Sequence, residues 1–164
     1  MPSLIRKGAD FTVGLPTTLA DGTPWVLPVI TQVDGAGNAI AGNTDTAALI
    51  TLTAQGAGTV VSADQTNYNG RGLKLVIDIT AVGGTPTCTV TIQGKDPVSG
   101  KYYTLLVSAA LAAAATTALE VYPGCIAAAN LVANSTLPRT WRISVVVAGG
   151  TPSVTATIAA SVIV

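Results

Sequence analysis

Leu73-Lys74-Leu75-Val76-Ile77-Asp78-Ile79-Thr80 places an apolar side chain at every odd position, and Thr87-Cys88-Thr89-Val90-Thr91-Ile92 resumes the alternation with hydroxyls between the apolar residues. A period of two belongs to an extended strand with one face buried, whereas a helix needs apolar residues three and four apart. The pattern recurs at Trp141, Ile143, Val145 and Val147, and again at Val154, Ala156, Ile158, Ala160 and Val162. Thr and Val suit a half-buried pleated surface. The sequence therefore predicts an all-β fold of antiparallel strands, a β-sandwich of paired sheets; a small barrel would give the same alternation.

An internal echo joins these stretches. Gly83-Gly84-Thr85-Pro86-Thr87-Cys88-Thr89-Val90-Thr91-Ile92 matches Gly149-Gly150-Thr151-Pro152-Ser153-Val154-Thr155-Ala156-Thr157-Ile158. Glycine accepts positive φ and proline fixes an extended exit, so each Gly-Gly-Thr-Pro element predicts a tight hairpin connection. Asp96-Pro97-Val98-Ser99-Gly100 predicts a second kind of hairpin loop, between strands at 89–93 and 101–107. The Ala-rich run 109–118 reads as a loop with room for one helical turn, followed by the strand-like Leu119-Glu120-Val121-Tyr122.

The first 45 residues differ from the rest. Gly14-Leu15-Pro16, Gly22-Thr23-Pro24, Leu27-Pro28 and Asp34-Gly35-Ala36-Gly37-Asn38 break the chain too often for long elements, yet Trp25, Val26, Leu27, Val29 and Ile30 are too apolar for a free tail. Two readings fit: an extended N-terminal arm over 1–45 that lies on its own domain or a neighbouring subunit, or edge strands of the sandwich formed by 46–164. With Trp25 as anchor, deletion of the arm is expected to abolish attachment while the remainder stays folded.

Composition narrows the function. Only 10% of the residues are charged, against about 25% in an average protein, and the eight basic and eight acidic side chains cancel. Binding to nucleic acid or anionic lipid by bulk charge is thereby disfavoured, because such binding scales with the phosphates neutralised. Histidine is absent, which removes the commonest general base and a common metal ligand together. The chain reads as a non-enzyme, and no residue is assigned a catalytic, cofactor-binding or metal role. Of the two cysteines, Cys88 falls on the apolar side of its strand and reads as a buried thiol. The basic pair Arg6-Lys7 is not followed by the apolar stretch of a secretory signal. The uncharged stretches 102–119 and 143–164 have about the length of a membrane span, but the first is mostly Ala and Thr and the second contains Gly149-Gly150-Thr151-Pro152. Neither reads as transmembrane.

Several clusters carry two readings each. Lys74 and Asp78 share an outward strand face, as a solvated pair would. Asp34, Asn38, Asn43 and Asp45 could ligate calcium but lack the ordered acidic ladder of a calcium loop, and turn chemistry accounts for them. Gly56-Ala57-Gly58 is not followed by the Gly-Lys-Ser/Thr of a phosphate loop. Lys101, Tyr102 and Tyr103 fit a stacking platform for a sugar or base, or half-buried strand aromatics. Arg139 and Arg142 flank Trp141, either as an interface anchor or as the rim of a core tryptophan.

Beyond these readings, Asn67-Tyr68-Asn69-Gly70-Arg71-Gly72-Leu73, Val76-Ile77-Asp78-Ile79-Thr80, Ile92-Gln93-Gly94-Lys95-Asp96-Pro97-Val98-Ser99-Gly100-Lys101-Tyr102-Tyr103, Val121-Tyr122-Pro123-Gly124 and Leu137-Pro138-Arg139-Thr140-Trp141-Arg142 together resemble small structural proteins of tailed bacteriophages and prophages. The resemblance spans residues 60–164. It implies a virion protein, a capsid decoration (cement) protein with an antiparallel β-sandwich domain of jelly-roll-like build on the outside of the major capsid shell. The partners it implies are the major capsid protein and copies of the chain itself, without nucleic acid or membrane, in a particle assembled in the host cytoplasm. A tail, neck or head-fibre base protein is the alternative within a virion. A carbohydrate-binding module using Tyr102, Tyr103 and Trp141 is the alternative from another class. The candidate interface residues are Trp25, Val26, Leu27, Arg139 and Arg142.

Overall fold

The structure is a computed structural model and describes residues 3–7, 10–14 and 44–164. The chain divides into two compact units, Met1–Val33 and Asp34–Val164. In the first, β1 (Ser3–Lys7) and β2 (Asp10–Gly14) pair as an antiparallel hairpin. Trp25, Val26 and Leu27 lie outside the described residues, as do Asp34, Asn38 and Asn43.

The second unit contains β3 (Thr44–Asp45), β4 (Ile50–Gln55), β5 (Gly58–Val61), β6 (Gln65–Thr66), β7 (Gly72–Lys95), β8 (Tyr102–Val107), β9 (Ala115–Val121), β10 (Val132–Ala133) and β11 (Thr140–Ile163). No helix occurs among the described residues. The fold is all-β, an antiparallel sandwich with one short parallel pair between β9 and β10.

Its framework is a single pairing. The two 24-residue strands β7 and β11 run antiparallel from Gly72↔Ile163 to Gly94↔Trp141. The first half of β7 and the second half of β11 are flanked by β9 on one side and by β3 and β4 on the other. The remaining halves are flanked by β8 on one side and by β5 and β6 on the other. Inward rows from both halves join one hydrophobic cluster: Leu73, Leu75, Ile77 and Ile79 with Ala156 and Ile158, and Cys88, Val90 and Ile92 with Trp141, Ile143, Val145 and Val147. The two half-sheets thus face each other across a shared core.

The Gly-Gly-Thr-Pro elements are not hairpin turns. Each lies inside a long strand, and the two copies sit opposite one another, with Gly149 facing Pro86, Gly150 facing Thr85 and Ser153 facing Gly83. The two Gly-Gly-Thr-Pro elements therefore pair with each other about an approximate two-fold. The register slips by one residue between Gly150 and Ser153 and back between Thr155 and Ala156. An extra residue moves a strand's following side chains to the other face. The buried row accordingly changes from odd to even numbers along both strands, from Ile79 to Cys88 and from Val147 to Val154. Gly84 (φ 71°) and Gly149 (φ 116°) occupy the left-handed region, and a Cβ on either would run into a backbone carbonyl, that of Thr151 or Thr85 respectively. Local turn chemistry is present, but it is spent on bending and bulging the strands.

The hairpin at 96–100 forms as expected between β7 and β8. Asp96 accepts hydrogen bonds from the Val98 N–H (2.9 Å) and the Ser99 hydroxyl (2.6 Å), which close the loop. In the Ala-rich run, residues 109–114 form a loop tied at Leu111 to Cys88, and 115–121 form β9. Cys88 is buried, and both cysteines are free thiols. Among the described residues no helix is long and apolar enough to cross a membrane.

Candidate interaction surface at the tyrosine-bearing end

Because β7 and β11 are bent in the middle, their four termini come to one end of the sandwich. The Leu137 N–H donates to the Arg71 carbonyl (3.0 Å) and the Asn67 N–H to the Arg139 carbonyl (2.7 Å), which ties the segment before β7 to the segment before β11. Asn67 fixes this corner from within. Its buried amide donates to the carbonyls of Gly70 (2.8 Å) and Leu137 (3.0 Å), and its carbonyl accepts from the Gly70 N–H (2.7 Å). Asparagine can do this because one short side chain carries both donors and an acceptor.

All four tyrosines of the chain gather here, and three of them carry a cation on the ring. The guanidinium carbon of Arg139 stands 4.9 Å from the Tyr68 ring centre, that of Arg71 5.9 Å from Tyr122, and that of Arg142 3.3 Å from Tyr102. Tyr103 covers Gly94, where a Cβ would lie 2.6 Å from its ring. Such cation–ring contacts hold long side chains in place.

A polar cluster braces the outer side of this end. Asp64 accepts from Lys95 Nζ (2.8 Å) and from the Tyr102 hydroxyl (2.6 Å), and Arg142 Nε donates to Gln93 Oε1 (2.8 Å). The hydrogen bond from Lys95, then that from Tyr102, holds the Asp64 carboxyl below its ordinary range, and the bond to Asp64 raises Lys95. Asp96 is likewise lowered, first by the Ser99 hydroxyl and then by the Val98 N–H. In each case the charged form is the one that is hydrogen-bonded.

The structure separates the residues singled out from sequence. Arg139 is exposed and stacked on exposed Tyr68, whereas Arg142 is spent on Tyr102 and Gln93. Trp141 is 1% exposed and belongs to the core, so the arginines are its rim. That removes the coplanar platform of Tyr102, Tyr103 and Trp141 on which the carbohydrate-binding reading depended. Asp78 accepts a hydrogen bond from the Thr116 hydroxyl (2.8 Å), and Asp45 is paired with Ser161. No group of three or more His, Cys, Asp or Glu side chains able to hold a metal occurs among the described residues.

Sequence reasoning missed Asn67, Asp64, Tyr68 and Tyr122 as parts of this surface. Asn67 has a local signal in the glycine three residues on; the others are joined to partners far along the chain and leave no spacing to read. Apart from Asp78, the charged side chains from Asp45 onward lie at this end or close to it. The opposite end, built from the two Gly-Gly-Thr-Pro bends and residues 109–114, carries no charge among the described residues.

No protein-family model matches the chain, and no curated protein matches it. Among solved structures, similarity is found to a chain in the structure of infectious bursal disease virus Gt strain, with a TM-score of 0.38 and 15% sequence identity over 93% of this chain and 42% of that one. The chain thus spans less than half the length of that neighbour.

Proposed function

We propose that this chain is a non-enzymatic structural protein of a tailed-phage virion, a decoration protein held on the outside of the major capsid shell. The observation that carries the reading is the convergence of separate sequence blocks. Four of the five blocks that resemble phage structural proteins (67–73, 92–103, 121–124 and 137–142) meet at the tyrosine-bearing end. Segments far apart in the chain are brought there to build one rigid surface of tyrosines and arginines, residue types favoured as interface anchors. The exposed Arg139–Tyr68 pair is the proposed contact with the major capsid protein. The segment 1–45, with Trp25, Val26 and Leu27, is the proposed arm onto a neighbouring capsid or decoration subunit.

A decoration protein acts by adding contact area across junctions of the shell, so it needs a stiff scaffold and no reactive groups. The two shared long strands supply that stiffness. Nucleic acid and membrane are not partners in this proposal; its site is the capsid surface, after assembly in the host cytoplasm.

The test is incubation of the purified full chain with undecorated capsids, followed by imaging and a thermal-rupture assay. Bound density on the shell and a raised rupture temperature are expected, with reduced occupancy for Arg139→Ala and Trp25→Ala. Absence of binding to capsids overturns the reading, and density at the tail, neck or fibre base replaces it with the alternative virion role.

A further inference from the structure

Among the described residues, the outer edge of β9 is an open strand edge without the usual protection. Its ladder with β7 runs unbroken from Leu73↔Val121 to Ile79↔Ala115. On the other side β9 meets β10 only at Glu120 and Val121, where the Glu120 N–H donates to the Leu131 carbonyl (2.8 Å). In an antiparallel ladder alternate residues turn their N–H and C=O groups to opposite sides. Thr116 and Ala118, in step with Glu120, therefore point theirs outward. Both residues are exposed, and among the described residues no strand pairs with that side of 115–119.

The other flanking strands are blunted. β4 carries a bulge and a positive φ at Ala54, the β8 ladder shifts between Ile92 and Gln93, β5 is four residues long and begins at Gly58, and β3, β6 and β10 have two residues each. Bulges, short length and edge charges are how folded chains prevent edge pairing. β9 has none of these from Ala115 to Leu119, and the loop before it adds only Ala and Leu from 109 to 114.

We propose that this edge binds the same edge of a second copy of the chain, β9 to β9 about a two-fold axis near Thr117, to form one continuous sheet. The edge is self-complementary. Antiparallel copies set Thr116 against Ala118, and Glu120 falls opposite Ala114, so no like charges meet. The chain also bends at Ala113 and Ala114, leaving the strand line where the partner's Leu131 would otherwise be met. This pairing stands on the edge alone and does not require the virion role.

Sedimentation velocity of the full chain without capsids, joined to amide exchange, tests it. A concentration-dependent dimer is expected, with slowed exchange at Thr116 and Ala118. Ala118→Pro deletes an outward donor and leaves the β7 ladder intact, so it should abolish the dimer. Ala118→Lys should raise the dissociation constant by about tenfold or more. A wild-type chain that stays monomeric, or unprotected amides at both positions, overturns the proposal even if the proline variant fails to fold. Protection that arises only on adding capsids overturns it too, since the occupant is then a capsid segment.

Discussion

The guanidinium carbon of Arg142 rests 3.3 Å from the centre of the Tyr102 ring while its Nε donates to Gln93. Three adjacent strands, β11, β8 and β7, are thereby latched on the outer face. Arg142→Ala should cost about 1–2 kcal/mol in urea denaturation, from the lost cation–ring contact and the charged hydrogen bond. Arg142→Lys should recover less than half of it, because an ammonium cannot lie flat on the ring and bond sideways to Gln93 at once.

The Asp64–Lys95–Tyr102 cluster gives a pH dependence of fixed sign. The folded carboxyl of Asp64 titrates below its unfolded value, so its contribution is complete above the ordinary carboxylate range and is lost as pH falls through the folded value. Lys95 titrates above its unfolded value, so its contribution is complete below the ordinary lysine range and is lost as pH rises through the folded one. Asp64→Asn should flatten the acid limb of a stability–pH curve and leave the neutral plateau little changed, since exposed pairs contribute little. An NMR titration showing Asp64 at its unfolded value would contradict the cluster.

Gly84 and Gly149 place a sharper demand on the sequence. Each has positive φ, and each faces a carbonyl of the opposite strand too closely to admit a side chain. Gly84→Ala and Gly149→Ala should each destabilise by about 2–4 kcal/mol, combining backbone strain with a steric shift of the crossing. Gly124→Ala provides the contrast: its φ is also positive, but nothing lies within 4 Å, so strain alone remains and the loss should be nearer 1 kcal/mol. Thermal melts of the three variants separate the two effects.

These glycines also show where sequence reading reached its limit. The alternating rows from Leu73, Cys88, Trp141 and Val154 were legible because burial on one face imposes a period of two, and those rows are the core. The Gly-Gly-Thr-Pro elements were misread because turn chemistry is local, whereas the pairing that keeps the strand running is made with a partner 65 residues away. A change of parity in the apolar row across each element was visible and is the mark of an inserted residue. The tyrosine-bearing end was legible only in fragments. Its Arg–Tyr pairs join segments far apart in the chain, and nothing in the spacing of Arg71 and Tyr122, or of Asp64 and Lys95, announces that they meet.

Trp141 sits in the core, yet its Nε1 has no hydrogen-bond partner among the described residues. Trp141→Ala should cost about 3–5 kcal/mol, as large-to-small core changes do. Trp141→Phe should be far milder than the lost volume suggests, because it also removes a buried donor whose desolvation is uncompensated. A loss for Trp141→Phe as large as its missing volume alone predicts would show that the indole N–H is satisfied in solution.

The two thiols should behave differently toward a thiol reagent. Cys88 is buried, and desolvation pushes its pKa up, so the reactive thiolate is scarce and hidden. Cys125 is half-buried, its thiol donating to the Tyr122 carbonyl (2.9 Å). A native sample should therefore label rapidly at one site per chain, and Cys88 only in denaturant or on global unfolding. The labelling rate of Cys88 then reports opening of the central β7–β11 pair, since its N–H and C=O hold Leu111 on one side while its strand pairs with Val147 on the other. Rapid native labelling of both thiols would mean that the middle of the sandwich opens locally, which the unbroken core around Cys88, Val90 and Val147 does not allow.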